Sequence, residues 1–195
     1  MKFYRGSGPS PARLGILAGS FNPPTIAHRE LARAARRQVD AVLCVLPRRF
    51  PHKEYFGATL EQRLEMLGAL NLGGIATSDG SLYIEIAREC RLHYGPSTDI
   101  CVLCGTDAAE RILTWDYGRP GVAEEMLSEF ELLVAPRGRA FEPPAEFRDR
   151  IAPLHLAGNF HPISSSEVRE RIRTKEPWEH LVPAEIVEKV RRIYS

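Results

Sequence analysis

The sequence predicts an α/β fold: a single domain on a Rossmann-like, doubly wound parallel sheet. Three observations carry that expectation. Short continuous apolar runs, among them LGILA at Leu14–Ala18, AVLCVLP at Ala41–Pro47 and DICVLC at Asp99–Cys104, read as strands buried on both faces. Segments with apolar residues at helical spacing stand between them. Two of the runs end in a glycine, Gly19 and Gly105, and lead on toward a helical pattern.

The 195 residues suffice for one domain with a sizeable core. A hydrophobic content of 44% and a charged content of 26% are those of an ordinary globular chain. The formal net charge of +1 argues against a surface built for polyanions, so no nucleic-acid partner is expected. No run approaches the roughly 18 apolar residues of a membrane helix, so no membrane partner is expected either. The stretch MKFYRGSGPSPAR has no apolar region of the secretory type. Residues 1–12 read as a disordered lead, residues 13–195 as the domain, and the location as cytoplasmic.

The first strand, Leu14–Ala18, gives way at Gly19 and Ser20 to a loop stiffened by Pro23 and Pro24, and then to the helical pattern AHRELARAARRQ. The amides of a helix N-terminus and its dipole favour an anion at such a junction. His28 lies one turn inside the helix, within reach of the same anion. Ala41–Pro47 is the second strand. The loop Pro47–Gly57 then carries Arg48, Arg49, His52 and Lys53 around two prolines; it leaves the strand end that the glycine turn leaves, and so can face the same pocket. Thr59 and Gln62 form a capping box for a helix over Leu60–Leu70. A turn at Asn71–Gly74, a short strand at Ile75–Thr77, a polar loop at Ser78–Ser81 and a helix from Tyr83 to Tyr94, closed by Gly95-Pro96, follow.

Asp99–Cys104 is the next strand. Its Cys101 and Cys104 make a CxxC, but residues three apart on a strand point to opposite faces. Buried thiols, and no metal site, are the expectation. After Gly105-Thr106, Asp107 suits either an N-cap or a carboxylate that accepts from a ribose hydroxyl. Trp115 suits either core packing or ring stacking. A helix at Gly121–Phe130, a strand at Glu131–Ala135, a loop Pro136–Pro144 with Arg137 and Arg139, and a last strand at Leu154–Leu156 are expected. Ile163-Ser164-Ser165-Ser166, with Arg169 one turn on, assembles hydroxyls, free amides, a helix dipole and a guanidinium: a second anion site. An amphipathic helix after Pro183 closes the pattern. Ligands of a doubly wound sheet sit where strand order reverses, here between Leu14–Ala18 and Asp99–Cys104. That brings His28, Lys53, Asp107 and Ser165 to one crevice.

These motifs also carry a resemblance. Gly19-Ser20-Phe21-Asn22-Pro23 with Thr25-x-x-His28 resembles the G-x-F-x-P-[HT]-x-G-H signature of the nucleotidyltransferase superfamily, with Thr25 at the first histidine and Ala27 at the glycine. The likeness is closest to nicotinate/nicotinamide mononucleotide adenylyltransferases. The segments Pro51-His52-Lys53, Arg63 with Met66, Gly105-Thr106-Asp107 with Trp115, and Ile163-Ser164-Ser165-Ser166 with Arg169 resemble further family motifs, so the likeness runs from about residue 13 through most of the chain. It implies adenylyl transfer from ATP to a pyridine mononucleotide, giving a dinucleotide and pyrophosphate in NAD biosynthesis. The implied catalytic residues are His28, Thr25, Lys53 and Arg169. ATP would meet Gly19, Ser20, Phe21, His28, Gly105, Asp107, Ile163, Ser164, Ser165, Ser166 and Arg169. The mononucleotide would meet Ser20, Lys53, Leu82, Tyr83 and Trp115. Magnesium would arrive with ATP, and a homo-oligomer is compatible with the pattern. The alternatives are another adenylyltransferase of the superfamily, such as one acting on phosphopantetheine, or an ATP-binding module without turnover. The layout favours nicotinate over nicotinamide mononucleotide, although Ser81-Leu82-Tyr83 departs from the family's Ser-Tyr-Thr.

Overall fold

The computed structural model describes residues 1–6, 8, 10–48, 57–80, 82–136, 141–158, 160 and 163–194. In chain order the elements are β1 (Lys2–Arg5), β2 (Arg13–Ala18), α1 (Ile26–Ala35), β3 (Ala41–Pro47), α2 (Leu60–Leu70), β4 (Gly74–Ser78), α3 (Tyr83–Tyr94) and β5 (Asp99–Gly105). Then come α4 (Thr106–Thr114), α5 (Val122–Glu129), β6 (Glu131–Ala135), a 3₁₀ turn (Ala145–Arg150), β7 (Ile151–Pro153) and α6 (Ser165–Thr174). Two further 3₁₀ turns, Glu179–Leu181 and Ala184–Ile186, lead into α7 (Val187–Tyr194). The strands form one sheet in the order β1-β4-β3-β2-β5-β6-β7. Every neighbouring pair is parallel except β1 with β4.

The sheet divides the core in two because side chains alternate along each strand. Leu17, Cys44 and Cys101 face one layer with α1, α2 and Val190 of α7. Leu14, Ile16 and Cys104 face the other with α3, α4 and α5. Cys101 and Cys104 thus lie on opposite faces, and all four cysteines are buried and outside any disulfide. Helix α2 starts where its capping box says it should: Gln62 N–H donates to Thr59 Oγ1 at 3.3 Å, and Thr59 N–H to Gln62 Oε1 at 2.8 Å.

Two expectations are corrected. The lead over residues 1–12 contains strand β1, antiparallel to β4 with Lys2 opposite Thr77 and Phe3 opposite Ala76. The aromatic side chain of alternating KFYR is what anchors it: Phe3 stacks on His93 at 3.8 Å, while Arg5 Nη2 donates to Gly68 O at 2.7 Å. The last strand is Ile151–Pro153, not Leu154–Leu156. Pro153 has no N–H to continue the ladder, although Leu154 N–H still donates to Val134 O at 2.8 Å.

The ladders also open the crevice. Strand β2 stays paired with β3 as far as Ala18 opposite Val45, and Gly19 N–H then donates to Val45 O at 3.0 Å. Its ladder to β5 stops earlier, at Ile16 opposite Val102, while β5 follows β6 to Gly105 opposite Ala135. The two central strands therefore part at their C-terminal ends, at the point where strand order reverses.

Candidate active site

Strand β2 ends on the turn Gly19–Thr25, and this turn is buried: Phe21 and Thr25 are 0% exposed and Asn22 6%. Phe21 takes a left-handed conformation, φ 47°, which costs a residue of its kind roughly 1–2 kcal/mol. The Asn22–Pro23 peptide is cis. Thr25 caps α1, and His28 is the third residue of the helix. Thr25 N–H donates to His28 Nδ1 at 3.0 Å, and Thr25 Oγ1 lies 2.8 Å from the same nitrogen. A nitrogen that accepts an N–H carries no proton, so the proton of the neutral imidazole sits on Nε2. The Phe21 ring lies 5.0 Å from the imidazole.

Three helices hold the turn. From α2, Arg63, only 4% exposed, donates through Nη1 to Ser20 O at 3.1 Å and through Nε to Thr59 O at 3.2 Å. From α6, Ser165 Oγ donates to Pro23 O at 2.7 Å, and Arg169 Nη1 to Asn22 O at 2.5 Å. From α7, the Tyr194 hydroxyl donates to Asn22 Oδ1, which also accepts from Ala58 N–H at 3.1 Å. Such bonds stabilise by about 0.5–1.5 kcal/mol each, more where a charged donor takes part. Together they suffice to offset the strain at Phe21.

The triple serine is ordered as a helix start. Ser164 caps α6 and accepts from Glu167 N–H at 3.1 Å. Ile163 is buried at 8% exposure and seats the segment in the core. Ser166 is exposed, and Arg169 Nη2 donates to its Oγ at 3.3 Å. The two anion motifs of the sequence, far apart in the chain, are thus joined by direct hydrogen bonds.

The segments after β4 and β5 are more open. Gly105 ends β5 and caps α4, so Asp107 is not the N-cap; it lies in the first turn with its side chain exposed. Trp115 follows α4, 42% exposed, its N–H on Arg111 O at 3.0 Å. Leu82 and Tyr83 open α3 and pack, half-buried, against the core layer of α3–α5. Burial pushes the Tyr83 hydroxyl pKa up, and Arg111 opposes the shift. Lys53, with Arg49, His52, Ser81, Arg137, Arg139 and His161, lies outside the described residues. Among the described residues no group of three or more His, Cys, Asp or Glu could hold a metal ion.

Sequence reading noted Arg63 only as part of a pattern and passed over the side chains of Asn22 and Tyr194. A signal for Arg63 was available: a cation one turn after Leu60, beside the apolar stripe of α2, has to find a partner when it is buried. Nothing local marks Tyr194, whose partner is a turn 172 residues away.

The arrangement invites comparison with known proteins. The family description "Cytidylyltransferase-like" matches residues 16–171. The probable nicotinate-nucleotide adenylyltransferase of Moorella thermoacetica is 28% identical over 93% of this chain and 90% of its own. The protein of that name from Citrifermentans bemidjiense is 32% identical, over 88% and 92%. Among solved structures, the Plasmodium falciparum nicotinic acid mononucleotide adenylyltransferase complexed with NaAD superposes with a TM-score of 0.68, at 17% identity, covering 92% of this chain and 95% of its own. That last likeness concerns the fold.

Proposed function

We propose, from the premise that this chain belongs to the cytidylyltransferase-like family, that it is a nucleotidyltransferase which moves the adenylyl group of ATP onto nicotinate mononucleotide in NAD synthesis. The names of its relatives support the choice of substrate. The single observation that carries the reading is the bonding of the Gly19–His28 turn to Ser165 and Arg169 at the parting of β2 and β5.

The chemistry asks little of the protein beyond alignment. A phosphate oxygen of the mononucleotide attacks the α-phosphorus of ATP; the bond to the bridging oxygen breaks, and pyrophosphate leaves with the electron pair. The nucleophile is largely dianionic at neutral pH, because the second pKa of a phosphate monoester is about 6. No general base is required. What remains is to align two polyanions and stabilise the charge that builds at phosphorus. His28 Nε2–H is the donor aimed at that charge, with Thr25 holding the ring. Arg169, Lys53 and the N-terminal amides of α6 complete the cationic side, with Ser164, Ser165 and Ser166 beside the phosphates and Ile163 seating them.

Gly19 and Ser20 would border the triphosphate, and Ser20 the mononucleotide as well; Phe21, expected beside ATP, is wholly buried and supports the turn from within the core. Gly105 and Asp107 border the adenosine; Trp115 stacks on the pyridine ring, with Leu82 and Tyr83 beside its substituent. Magnesium would arrive with the substrate as MgATP, screening the triphosphate and the leaving group. A cytoplasmic location and self-association accord with this reading.

The test is dinucleotide formation and pyrophosphate release from MgATP with nicotinate mononucleotide, nicotinamide mononucleotide or phosphopantetheine. Turnover with the pyridine mononucleotides, the acid preferred, is expected. A kcat/KM that favours the amide by tenfold or more, about 1.4 kcal/mol, would overturn the acid preference. Turnover with phosphopantetheine alone would overturn the substrate class.

A further inference from the structure

We propose that Tyr194 is a positioning residue of this reaction, acting through the carboxamide of Asn22 to hold the turn that presents His28. The inference rests on the adenylyl-transfer reading above. Ala58 N–H can only donate, so the Asn22 side-chain atom 3.1 Å from it is the oxygen. The Tyr194 hydroxyl faces that same oxygen and must therefore donate. Two donors, one from the entry to α2 and one from α7, converge on one acceptor and fix the rotamer of Asn22.

The backbone of the same residue is held as well, because Asn22 O accepts from Arg169 Nη1 at 2.5 Å. The joint has no slack. Gly57 sits beneath it with φ +97°, and a Cβ there would lie 3.1 Å from both Asn22 Oδ1 and the Tyr194 ring. Tyr194 also arrives on an anchored element: Val190 of α7 is 0% exposed, and Lys189 pairs with Glu65 of α2. Burial pushes the Tyr194 hydroxyl pKa up, against the pull of Arg169 and Arg63, so it stays protonated as a donor at working pH. The turn needs such a hold because Phe21, beside Asn22, is left-handed and wholly buried. Catalysis gains from donors set in place before charge develops. Tyr194 meets no substrate in this scheme; its effect passes through Asn22.

The experiment compares Tyr194→Phe, Asn22→Ala and the double variant with the full wild-type chain, using MgATP and nicotinate mononucleotide, and follows amide hydrogen exchange in each. Tyr194→Phe keeps the ring packing and removes one hydrogen bond, so kcat should fall roughly tenfold. KM for ATP should stay within about twofold, and exchange should quicken in the Gly19–Thr25 turn but not in α3–α5. In the Asn22→Ala background the same change should cost no more than about twofold further. A kcat for Tyr194→Phe within twofold of wild type, effects of the two changes that multiply, or exchange that quickens evenly over the chain would each overturn the proposal. If the wild type forms no dinucleotide, the adenylyl-transfer reading fails. The hold on the turn is then judged by exchange alone, a local rise supporting it and no rise overturning it.

Discussion

The turn after β2 and the segment after β5 are both strand–glycine–helix junctions, but the fold treats them differently. The first is buried, with Phe21 and Thr25 at 0% exposure, and takes hydrogen bonds from α2, α6 and α7. The second leaves Asp107 exposed and Trp115 42% exposed. The difference matches what the proposed function asks of each segment. Charge that develops on a transferring phosphorus is best met by donors already fixed, because reorganising them during the reaction would cost part of the stabilisation. A pyridine ring is recognised by stacking and by one or two polar contacts, which can form as the substrate arrives. Under the proposed function, the contrast teaches that one crevice can join a phosphate grip fixed in advance to a ring site that adjusts to its substrate.

The largest effect is expected from His28→Ala. If the buried wall supplies the transition-state donor, kcat should fall about 10²–10³-fold while ATP binding weakens far less. His28→Asn, whose carboxamide oxygen can still accept from Thr25 N–H, should keep the helix start but not the activity. Steady-state kinetics with calorimetric ATP titration reads both. Normal turnover in a destabilised His28→Ala protein would make the histidine a packing residue.

Trp115→Ala probes the open wall. Its loss should raise KM for the mononucleotide by roughly two- to tenfold, the value of one aromatic pairing, and leave kcat nearly unchanged. A fall in kcat alone would mean that this wall too is fixed for the transition state. Thr25→Val is milder still. It removes the hydroxyl from His28 Nδ1 but leaves the backbone N–H in place, so activity should stay within about tenfold of wild type, as expected for a neutral hydrogen bond. Complete loss would show that Thr25 acts on phosphate directly.

The smallest effect on turnover is expected from the sheet that both walls share. Burial pushes the thiol pKa of Cys44 and of Cys90 up to about 12 and that of Cys101 to about 11. Below pH 8 each thiol is protonated both folded and unfolded, and stability does not respond. Above the unfolded pKa of about 8.5, only the unfolded chain loses these protons. Each thiol then lowers stability by about 1.4 kcal/mol per pH unit until its folded pKa is reached. Thermal melts should therefore fall steeply between pH 9 and 11, while a thiol reagent at pH 8 leaves turnover unchanged. Rapid native labelling with loss of activity would place a cysteine at the crevice.

The sequence was most legible where one backbone device dictates the outcome. The apolar runs at Ala41–Pro47 and Glu131–Ala135 became strands with those bounds, and Thr59 with Gln62 marked the start of α2. The switch point could be placed because connection rules leave few strand orders. Lys2–Arg5 was not legible as a strand, since an edge strand rests on partners, here Thr77 and His93, that its own pattern does not reveal. Pro153 hid the last strand for a local reason, its missing N–H. At the site, the Gly19–His28 and Ser164–Arg169 segments announced themselves through residue types suited to anions. Arg169, read as a phosphate ligand, donates to Asn22 O in the structure, because a guanidinium with five donors can serve a neighbouring carbonyl as well. Asn22 and Tyr194 stayed hidden because a long-range joint leaves no local mark.

The most direct measurement is a crystal structure of this protein with a non-hydrolysable ATP analogue and nicotinate mononucleotide. A phosphate grip built in advance predicts triphosphate oxygens against His28 Nε2 and the α6 N-terminus, with Cα atoms of Gly19–Thr25 displaced by less than about 1 Å and the larger adjustments at Tyr83 and Trp115. Displacement of that turn by more than about 2 Å, with Arg169 leaving Asn22 O, or a triphosphate seated elsewhere than between β2 and β5, would contradict it.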